Sequence, residues 1–220
     1  MEIGGPAESP PTPNLAGDRE IENCWILAEM GHGPGEALDF GCGTNSYLGL
    51  IAAQRGFNVT SVDLELVEWP YVEANLRFVQ GDILKLSLPE EHFDLVINCS
   101  TVEHVGLVGR YGVTESQPNG DLEAMTCLKE IMKLSGVMLL TIPIGQDAIF
   151  APLHRVYGKE RLPQLLQGYR VEKEIFWTKN SQNLWVMCDR ESALNLKAFS
   201  GSSDPLQNAY ALGCYVLRRE

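Results

Sequence analysis

The fold is decided by the sequence Glu-Ala-Leu-Asp-Phe-Gly-Cys-Gly-Thr-Asn at residues 36–45. Its apolar part predicts a buried strand that ends at Phe40. Gly41 and Gly43 then allow the backbone to turn sharply and to pass close to a ligand, because glycine has no side chain to restrict it. Residues 46–55 predict a helix. A strand, a glycine turn and a helix in this order indicate the first unit of a doubly wound α/β fold.

An acidic residue ends the next predicted strand. Residues 58–63 read Asn-Val-Thr-Ser-Val-Asp, and Asp63 lies 22 residues beyond Gly41 (63 − 41). A carboxylate at this place can accept hydrogen bonds from both hydroxyls of a ribose. Dinucleotide sites favour Gly-x-Gly-x-x-Gly, but Ser46 stands where the third glycine is expected. The pattern therefore predicts a nucleoside site that lacks the full dinucleotide fingerprint.

The Asp-x-Gly-x-Gly run at residues 39–43 resembles the first motif of the class I S-adenosylmethionine-dependent methyltransferases. Three more segments resemble later motifs of this superfamily in the same order, at residues 80–83, 93–105 and 134–141. The run Ser-Thr-Val-Glu-His-Val-Gly-Leu-Val-Gly-Arg-Tyr-Gly at residues 100–112 is similar to the signature of one of its branches. Because four motifs in the right order rarely coincide by chance, the chain is identified as a member of the superfamily.

The resemblance implies a Rossmann-like, doubly wound α/β fold with a mostly parallel, seven-stranded sheet and an antiparallel last strand. It also implies S-adenosylmethionine as the cofactor. Asp39 would order the glycine turn or hold the ammonium group, Asp63 would bind the ribose, and Asp82 would contact the adenine. The implied cofactor site comprises Asp39, Gly41, Cys42, Gly43, Asp63, Leu64, Asp82, Ile83 and Ser100.

Methyl transfer to a hydroxyl group requires a general base, and two histidines are candidates. His104 follows the predicted fourth strand, where such a base lies in the superfamily, and His154 follows the fifth. Glu103 is next to His104 and could orient its ring; the alternative is a structural His104 that caps the turn. Some relatives bind a divalent cation through Glu-x-x-Glu-His, but Ser100 replaces the first Glu here, so no metal site is predicted.

Two polar loops are predicted to contact the acceptor, one at residues 106–120 and one after the fifth strand. Arginine pairs with anions and tyrosine packs on ring faces, which suits a hydroxylated or carboxylated molecule. The alternative is that Arg155 and Tyr157 only fix their loop to the domain. The predicted acceptor site comprises Glu103, Arg110, Tyr111, Arg155 and Tyr157.

Composition restricts the class of partner. The 220 residues are 45% hydrophobic and carry a net charge of −12, with no basic cluster, so neither nucleic acid nor a membrane is predicted as a partner. The six cysteines lack metal-ligand spacing, and no leader or membrane-spanning segment is visible, which predicts a cytoplasmic location. We expect a flexible, proline-rich arm at residues 1–17 and a single domain at residues 18–220.

Local patterns predict the remaining elements. Asp18 is expected to cap a first helix that covers the domain, and residues 145–157 are expected to be irregular. Residues 159–166 suggest a short helix, while residues 169–177, 184–188 and 209–217 suggest strands.

The predicted function is that of an S-adenosylmethionine-dependent methyltransferase that acts on a small polar molecule, by O-methylation of a hydroxylated or sugar-like acceptor. Two other classes are alternatives: an NAD-dependent oxidoreductase, and a non-catalytic binding module that keeps the fold. The identity of the acceptor and the oligomeric state are left open by the sequence.

Overall fold

An eight-stranded sheet forms the centre of the protein, with helices on both faces. The structure is a computed structural model, and it describes residues 17–44, 47–109, 111–197 and 210–220. The strands are β1 (Gly35–Phe40), β2 (Phe57–Asp63), β3 (Leu76–Gln80), β4 (Phe93–Cys99), β5 (Met132–Ile144), β6 (Ala148–Phe150), β7 (His154–Val156), β8 (Tyr169–Lys179), β9 (Trp185–Cys188) and β10 (Ala211–Arg219). The α-helices are α1 (Asp18–Glu29), α2 (Leu48–Gln54), α3 (Gly120–Ile131), α4 (Arg161–Leu165) and α5 (Arg190–Asn195), and a 3-10 turn spans Val102–His104.

The strand order in the sheet is β3-β2-β1-β4-β5-β10-β8-β9. The first five strands of this order are parallel, whereas β10 runs antiparallel to both β5 and β8. The doubly wound, mostly parallel Rossmann-like fold with an antiparallel last strand is therefore confirmed. Since the order reverses between β1 and β4, the crevice at their carboxyl ends is the expected ligand site.

The predicted number of seven strands is wrong by one. Residues 185–188 form β9, which pairs antiparallel with β8 at the edge of the same sheet. The turn between the two strands is stabilised by the Asn180 side chain, whose Oδ1 accepts from the backbone N–H groups of Gln182 and Leu184 at 2.9 and 3.0 Å. This short hairpin extends the sheet by one strand.

Both faces of the parallel strands are apolar, as expected for strands that are covered by helices on each side. On one face Trp25 and Ile26 of α1 pack with Ala37 of β1. On the other face Leu128 of α3 packs with Leu38. The two covering layers fix the sheet edge at which β1, β2 and β4 end.

Three local predictions need correction or fall outside the described residues. Asp18 is the first residue of α1 rather than its cap; the capping position is Gly17, whose φ of 86° is readily adopted only without a side chain. Residues 145–157 contain the β6–β7 hairpin, whose three-residue strands are too short to give a periodic pattern. The predicted flexible arm lies, except for Gly17, outside the described residues.

No helix in the described ranges is both long enough and apolar enough to cross a membrane.

Candidate functional site

A cavity of about 580 Å³ opens at the carboxyl ends of β1, β2 and β4. Its volume falls in the range of roughly 300–1,000 Å³ that is typical of small-molecule sites. The lining brings together all nine residues that the sequence assigns to a cofactor: Asp39, Gly41, Cys42, Gly43, Asp63, Leu64, Asp82, Ile83 and Ser100. The remaining lining residues include Arg19 and Asn23 of α1, Thr101, His104, Tyr111 and Gln117.

In the glycine turn after β1, the backbone passes close to Thr101 at Gly41 and borders open space at Gly43. Gly41 has a φ of 72°, and a Cβ at this residue would lie 2.1 Å from Cγ2 of Thr101. Gly43 has a φ of 55°, but a Cβ there would meet no described atom within 4 Å. Both residues therefore need glycine for their backbone conformation. Only Gly43 leaves open space that a ligand can occupy.

Asp39 orders the beginning of α2 from inside the protein. Its Oδ2 accepts from the backbone N–H of Gly49 at 3.1 Å and from the Ser61 hydroxyl at 3.5 Å. Burial raises the pKa of this carboxyl to about 7. These contacts join Asp39 to the first turn of α2 and to β2, and neither of them is to the glycine turn.

Asp63 ties the end of β2 to the glycine turn. Its Oδ2 accepts from the Gly43 N–H at 2.9 Å, and its Oδ1 accepts from the Glu65 N–H at 3.0 Å. A carboxylate offers about four acceptor positions, so the hydrogen bonds from described residues leave two of them for a ligand. Asp82, after β3, accepts from the Leu84 N–H at 3.0 Å and lies 3.3 Å from Lys85 Nζ.

Helix α1, which the sequence predicts to cover the domain, also contributes polar residues to the cavity. Glu22 is fully buried, and its Oε1 accepts from the hydroxyls of Ser100 and Thr141, the latter at 2.8 Å. Its Oε2 pairs with Arg19 Nη1 at 3.0 Å. The signal that could have revealed this face is the polar set Arg19, Glu22 and Asn23 at i, i+3 and i+4, beside an apolar stripe.

His104 lies at the cavity wall, and Nδ1 of its ring is 2.6 Å from the Leu153 carbonyl oxygen. A carbonyl only accepts, so Nδ1 carries the proton and the lone pair of the neutral ring is on Nε2. The Tyr111 ring packs edge-on against the imidazole at 5.4 Å and also lines the cavity. Arg110, the neighbouring predicted acceptor residue, lies outside the described residues.

Glu103 is buried behind His104 and is not among the lining residues. Its Oε1 lies 3.8 Å from His104 Nε2, while no described residue forms a hydrogen bond with its buried Oε2. Burial is the main cause that raises the pKa of this carboxyl from 4.5 to about 8. The Glu103 side chain is thus placed to act on His104 and not to contact a ligand in the cavity.

Arg155 and Tyr157 are fully buried outside the cavity, and their contacts are those of residues that fix a loop. The Arg155 guanidinium donates to the carbonyl oxygens of Glu103 and Val105 at 3.2 and 2.6 Å, and to those of residues 117 and 118 at 3.2 and 3.4 Å. The Tyr157 hydroxyl donates to Asp121 at 3.1 Å. Because these hydrogen bonds hold both side chains inside the domain, the structure does not bring either of them to the predicted acceptor site.

His154, the second candidate base, lies in the β6–β7 hairpin and is only 5% exposed. Its ring packs against Phe150 and Tyr210, at centroid distances of 5.8 and 5.2 Å. It is not among the described residues that line the cavity, so the structure brings only His104 to this site.

The strand order, the glycine turn and the cavity at the sheet edge define the S-adenosylmethionine-dependent methyltransferase fold. Solved structures with this fold include the 1,6-didemethyltoxoflavin-N1-methyltransferase of Burkholderia thailandensis, with 15% identity over 94% of this chain and 79% of that chain and a TM-score of 0.59. The N-methyltransferase NodS of Bradyrhizobium japonicum has 14% identity, coverage of 93% and 88%, and a TM-score of 0.57. The [4+2]-cyclase SpnF is equally similar, with 14% identity, coverage of 97% and 84%, and a TM-score of 0.58, so the fold alone does not set the reaction.

Two family models match the chain. The model described as "Methyltransferase domain" matches residues 38–115, which include the glycine turn and Asp63. The model described as "Caenorhabditis protein of unknown function, DUF268" matches residues 83–195, or 113 residues (195 − 83 + 1) of 220, and the chain belongs to this family. No curated protein matches the sequence.

Proposed function

We propose that this protein is a methyltransferase that uses S-adenosylmethionine to methylate a hydroxyl group of a small polar molecule. The proposal rests mainly on Gly43 and Asp63, which are linked by a hydrogen bond from the Gly43 N–H to the Asp63 carboxylate. The glycine leaves open space at the cavity, while the carboxylate that accepts from its N–H retains acceptor positions toward the same space.

The residues at this edge fit an adenosyl cofactor. Asp63 would accept from the ribose hydroxyls, Asp82 would contact the adenine, and Leu64 and Ile83 would pack against the nucleoside. Cys42, Gly43 and Ser100 line the part of the cavity proposed for the methionine end. When bound, S-adenosylmethionine supplies a methyl group that is already activated on a sulfonium, so the protein has mainly to orient the acceptor, which can contribute about 7–11 kcal/mol.

The acceptor half of the cavity is lined by neutral hydrogen-bonding groups. Thr101, His104, Tyr111 and Gln117 lie on this side, and no described lining residue of the segment 99–117 is an Asp or Glu. Hydroxyl, imidazole and amide groups suit a hydroxylated molecule better than a cation. The 1,6-didemethyltoxoflavin bound to the Burkholderia enzyme is likewise a small molecule.

We assign the role of general base to His104. Because Nδ1–H donates to Leu153, the lone pair of the neutral imidazole is on Nε2, and this nitrogen can take the proton of a hydroxyl. A positioned base contributes roughly 10²- to 10⁴-fold to rate. His154 is not assigned this role, because it packs in the hairpin away from the cavity lining.

The test is methyl transfer from S-adenosylmethionine carrying a ¹³C-labelled methyl group to the small-molecule fraction of a cell extract. We expect a labelled product with the wild type and none with Asp63→Ala, and the ¹³C chemical shift of the product separates O-methyl from N-methyl groups. Asp189→Ala is the matched control, since Asp189 caps α5 outside the cavity. Labelling that is equal with and without protein would refute methyl transfer, and an N-methyl product would refute the assigned acceptor atom.

A further inference from the structure

His104 lies at the end of a helical turn that is too short to hold itself in place. The 3-10 turn spans only Val102–His104, and a turn of three residues contains few hydrogen bonds of its own. Its last carbonyl groups have no partner within the turn. The orientation of the imidazole at the cavity wall must therefore be set by contacts from other parts of the chain.

The β6–β7 hairpin supplies these contacts to the backbone and to the ring of His104. Nη1 of Arg155 donates to the carbonyl oxygens of Glu103 and Val105 at 3.2 and 2.6 Å. These are the residues directly before and after the proposed base. Two residues earlier in the hairpin, the Leu153 carbonyl oxygen lies 2.6 Å from Nδ1 of the imidazole. One short segment of the chain thus holds both the turn and the ring that it carries.

The other terminal nitrogen of the Arg155 guanidinium holds the end of the loop that follows His104. Nη2 donates to the carbonyl oxygens of Gln117 and Pro118 at 3.2 and 3.4 Å. The Gln117 N–H closes the loop with a hydrogen bond to the Gly106 carbonyl at 3.0 Å. Because His104 and Gln117 both line the cavity, one planar group sets the distance between two lining residues.

Arg155 is itself fixed relative to the sheet. Its side chain is fully buried, and its Nε lies 3.5 Å from Oδ1 of Asp121 in the first turn of α3. Two residues further along the chain, the Tyr157 N–H donates to the carbonyl of Pro143 in β5 at 3.0 Å. A guanidinium presents its donors in one rigid plane, whereas a lysine ammonium is a point charge on a flexible chain. The arginine can therefore transmit the position of the sheet edge to His104.

We infer that Arg155 is a positioning residue for methyl transfer: it orients His104 through the two flanking carbonyl groups and fixes Gln117 relative to this base. The inference rests on the proposed function and assigns a role in it to a side chain outside the cavity. Because proton transfer depends on the alignment of the base with the acceptor, a displacement of the turn by about 1 Å can lower the rate roughly 10²-fold. An arginine that only stabilised the fold would change the free energy of unfolding but not the tautomer of the imidazole.

Nuclear magnetic resonance of protein labelled with ¹⁵N in histidine observes the imidazole directly, and comparison with His104→Gln assigns the signal among the four histidines. We expect His104 of the wild type to be a single neutral tautomer with its proton on Nδ1. Arg155→Lys and Arg155→Gln should give a mixture of tautomers, so that the difference between the two ring ¹⁵N shifts falls by about twofold or more. Two variants are used because a buried substitution can prevent folding.

Methyl transfer to the small-molecule fraction of a cell extract is the second readout. At saturating S-adenosylmethionine, both Arg155 variants should lower the rate about 10- to 10²-fold, because the base is no longer aligned. Their affinity for S-adenosylhomocysteine, measured by calorimetric titration, should change by no more than about twofold, since Arg155 contacts no residue of the proposed cofactor site.

The control variant is Tyr169→Phe, which removes a buried hydrogen bond of 2.7 Å to the Met125 carbonyl outside the cavity. It destabilises the fold without touching the turn of His104, so it should keep the wild-type tautomer and rate. Circular dichroism gives the temperature range in which each variant is folded, and all measurements are made within it.

The inference is overturned if the Arg155 variants keep the wild-type tautomer or the wild-type rate, or if Tyr169→Phe changes both to the same extent. A proton on Nε2 of His104 in the wild type would also overturn it, and this result requires no variant. Absence of methyl transfer by the wild type would instead refute the proposed function, while the tautomers would still decide whether Arg155 positions the imidazole.

Discussion

The two glycines of the turn after β1 provide a matched pair of substitutions. Alanine at either position must adopt a left-handed conformation, since φ is 72° at Gly41 and 55° at Gly43. This costs roughly 1–2 kcal/mol in each variant. The new Cβ at Gly43 meets no described atom within 4 Å, so Gly43→Ala should lose only this amount.

Gly41→Ala carries a second cost. Its Cβ would lie 2.1 Å from Cγ2 and 2.8 Å from Cβ of Thr101, where carbon atoms normally stay about 3.5–4.0 Å apart. Thr101 is held by a hydrogen bond from its hydroxyl to the Cys99 carbonyl at 3.1 Å, so the backbone must shift. Overpacking of this kind adds about 1–3 kcal/mol, which gives a total of about 2–5 kcal/mol for Gly41→Ala.

Urea unfolding of both variants measures the two costs, and titration with S-adenosylhomocysteine measures their effect on the cavity. We expect Gly43→Ala to keep most of its stability but to lose ligand binding by at least tenfold, because its methyl group projects into space left for the ligand. The double variant with Thr101→Ala should recover about 1 kcal/mol of the loss in Gly41→Ala. Equal stability of the two single variants, or no recovery in the double variant, would show that the Thr101 contact is not the cause.

Three other perturbations test separate parts of the account. Arg155→Lys should lower the free energy of unfolding by about 3 kcal/mol in urea titrations, because buried carbonyl groups lose the guanidinium donors. The same substitution at the exposed Arg170 should change this free energy by less than about 0.5 kcal/mol. Equal effects of the two variants would refute the structural role of Arg155. The pKa of Glu103 is raised to about 8, so the folded state keeps a proton that the unfolded chain releases above pH 4.5, and stability falls as the pH rises between these values. Between pH 4.5 and pH 8, the free energy of unfolding of Glu103→Gln should therefore rise by a few kcal/mol relative to that of the wild type, as measured by thermal unfolding at each pH. A difference in this free energy that stays constant with pH would contradict the raised pKa. His104→Gln should reduce methyl transfer roughly 10²- to 10⁴-fold with unchanged affinity for S-adenosylhomocysteine, while a variant with wild-type activity would exclude the base role.

The fold and the cofactor half of the cavity follow from local sequence. The strand, turn and helix around Gly41 and Gly43 are encoded by neighbouring residues, and Asp63 and Asp82 end successive strands of one parallel sheet. Because the carboxyl ends of parallel strands share one edge of the sheet, residues that are predicted separately at these ends lie close together in the folded protein. The short strands β6 and β7 are harder to predict, since three residues hold too little periodicity.

The acceptor half depends on contacts between distant parts of the chain. Arg155 reaches carbonyl groups 37 to 52 residues earlier, and Glu22 binds a hydroxyl at Ser100, 78 residues later. The contacts of Arg155 leave no periodic or motif signal, whereas the polar face of α1 leaves only the i, i+3, i+4 spacing of Arg19, Glu22 and Asn23. For this reason the sequence suggests Arg155 as a residue that binds the acceptor, and it predicts α1 as a helix that covers the domain.

The most direct test of the central claim is calorimetric titration of the purified protein with S-adenosylhomocysteine and, separately, with NADH. The account predicts one site for S-adenosylhomocysteine, an affinity that Asp63→Ala lowers at least tenfold, and no binding of NADH. Binding of NADH without binding of S-adenosylhomocysteine would contradict the account and would favour an oxidoreductase.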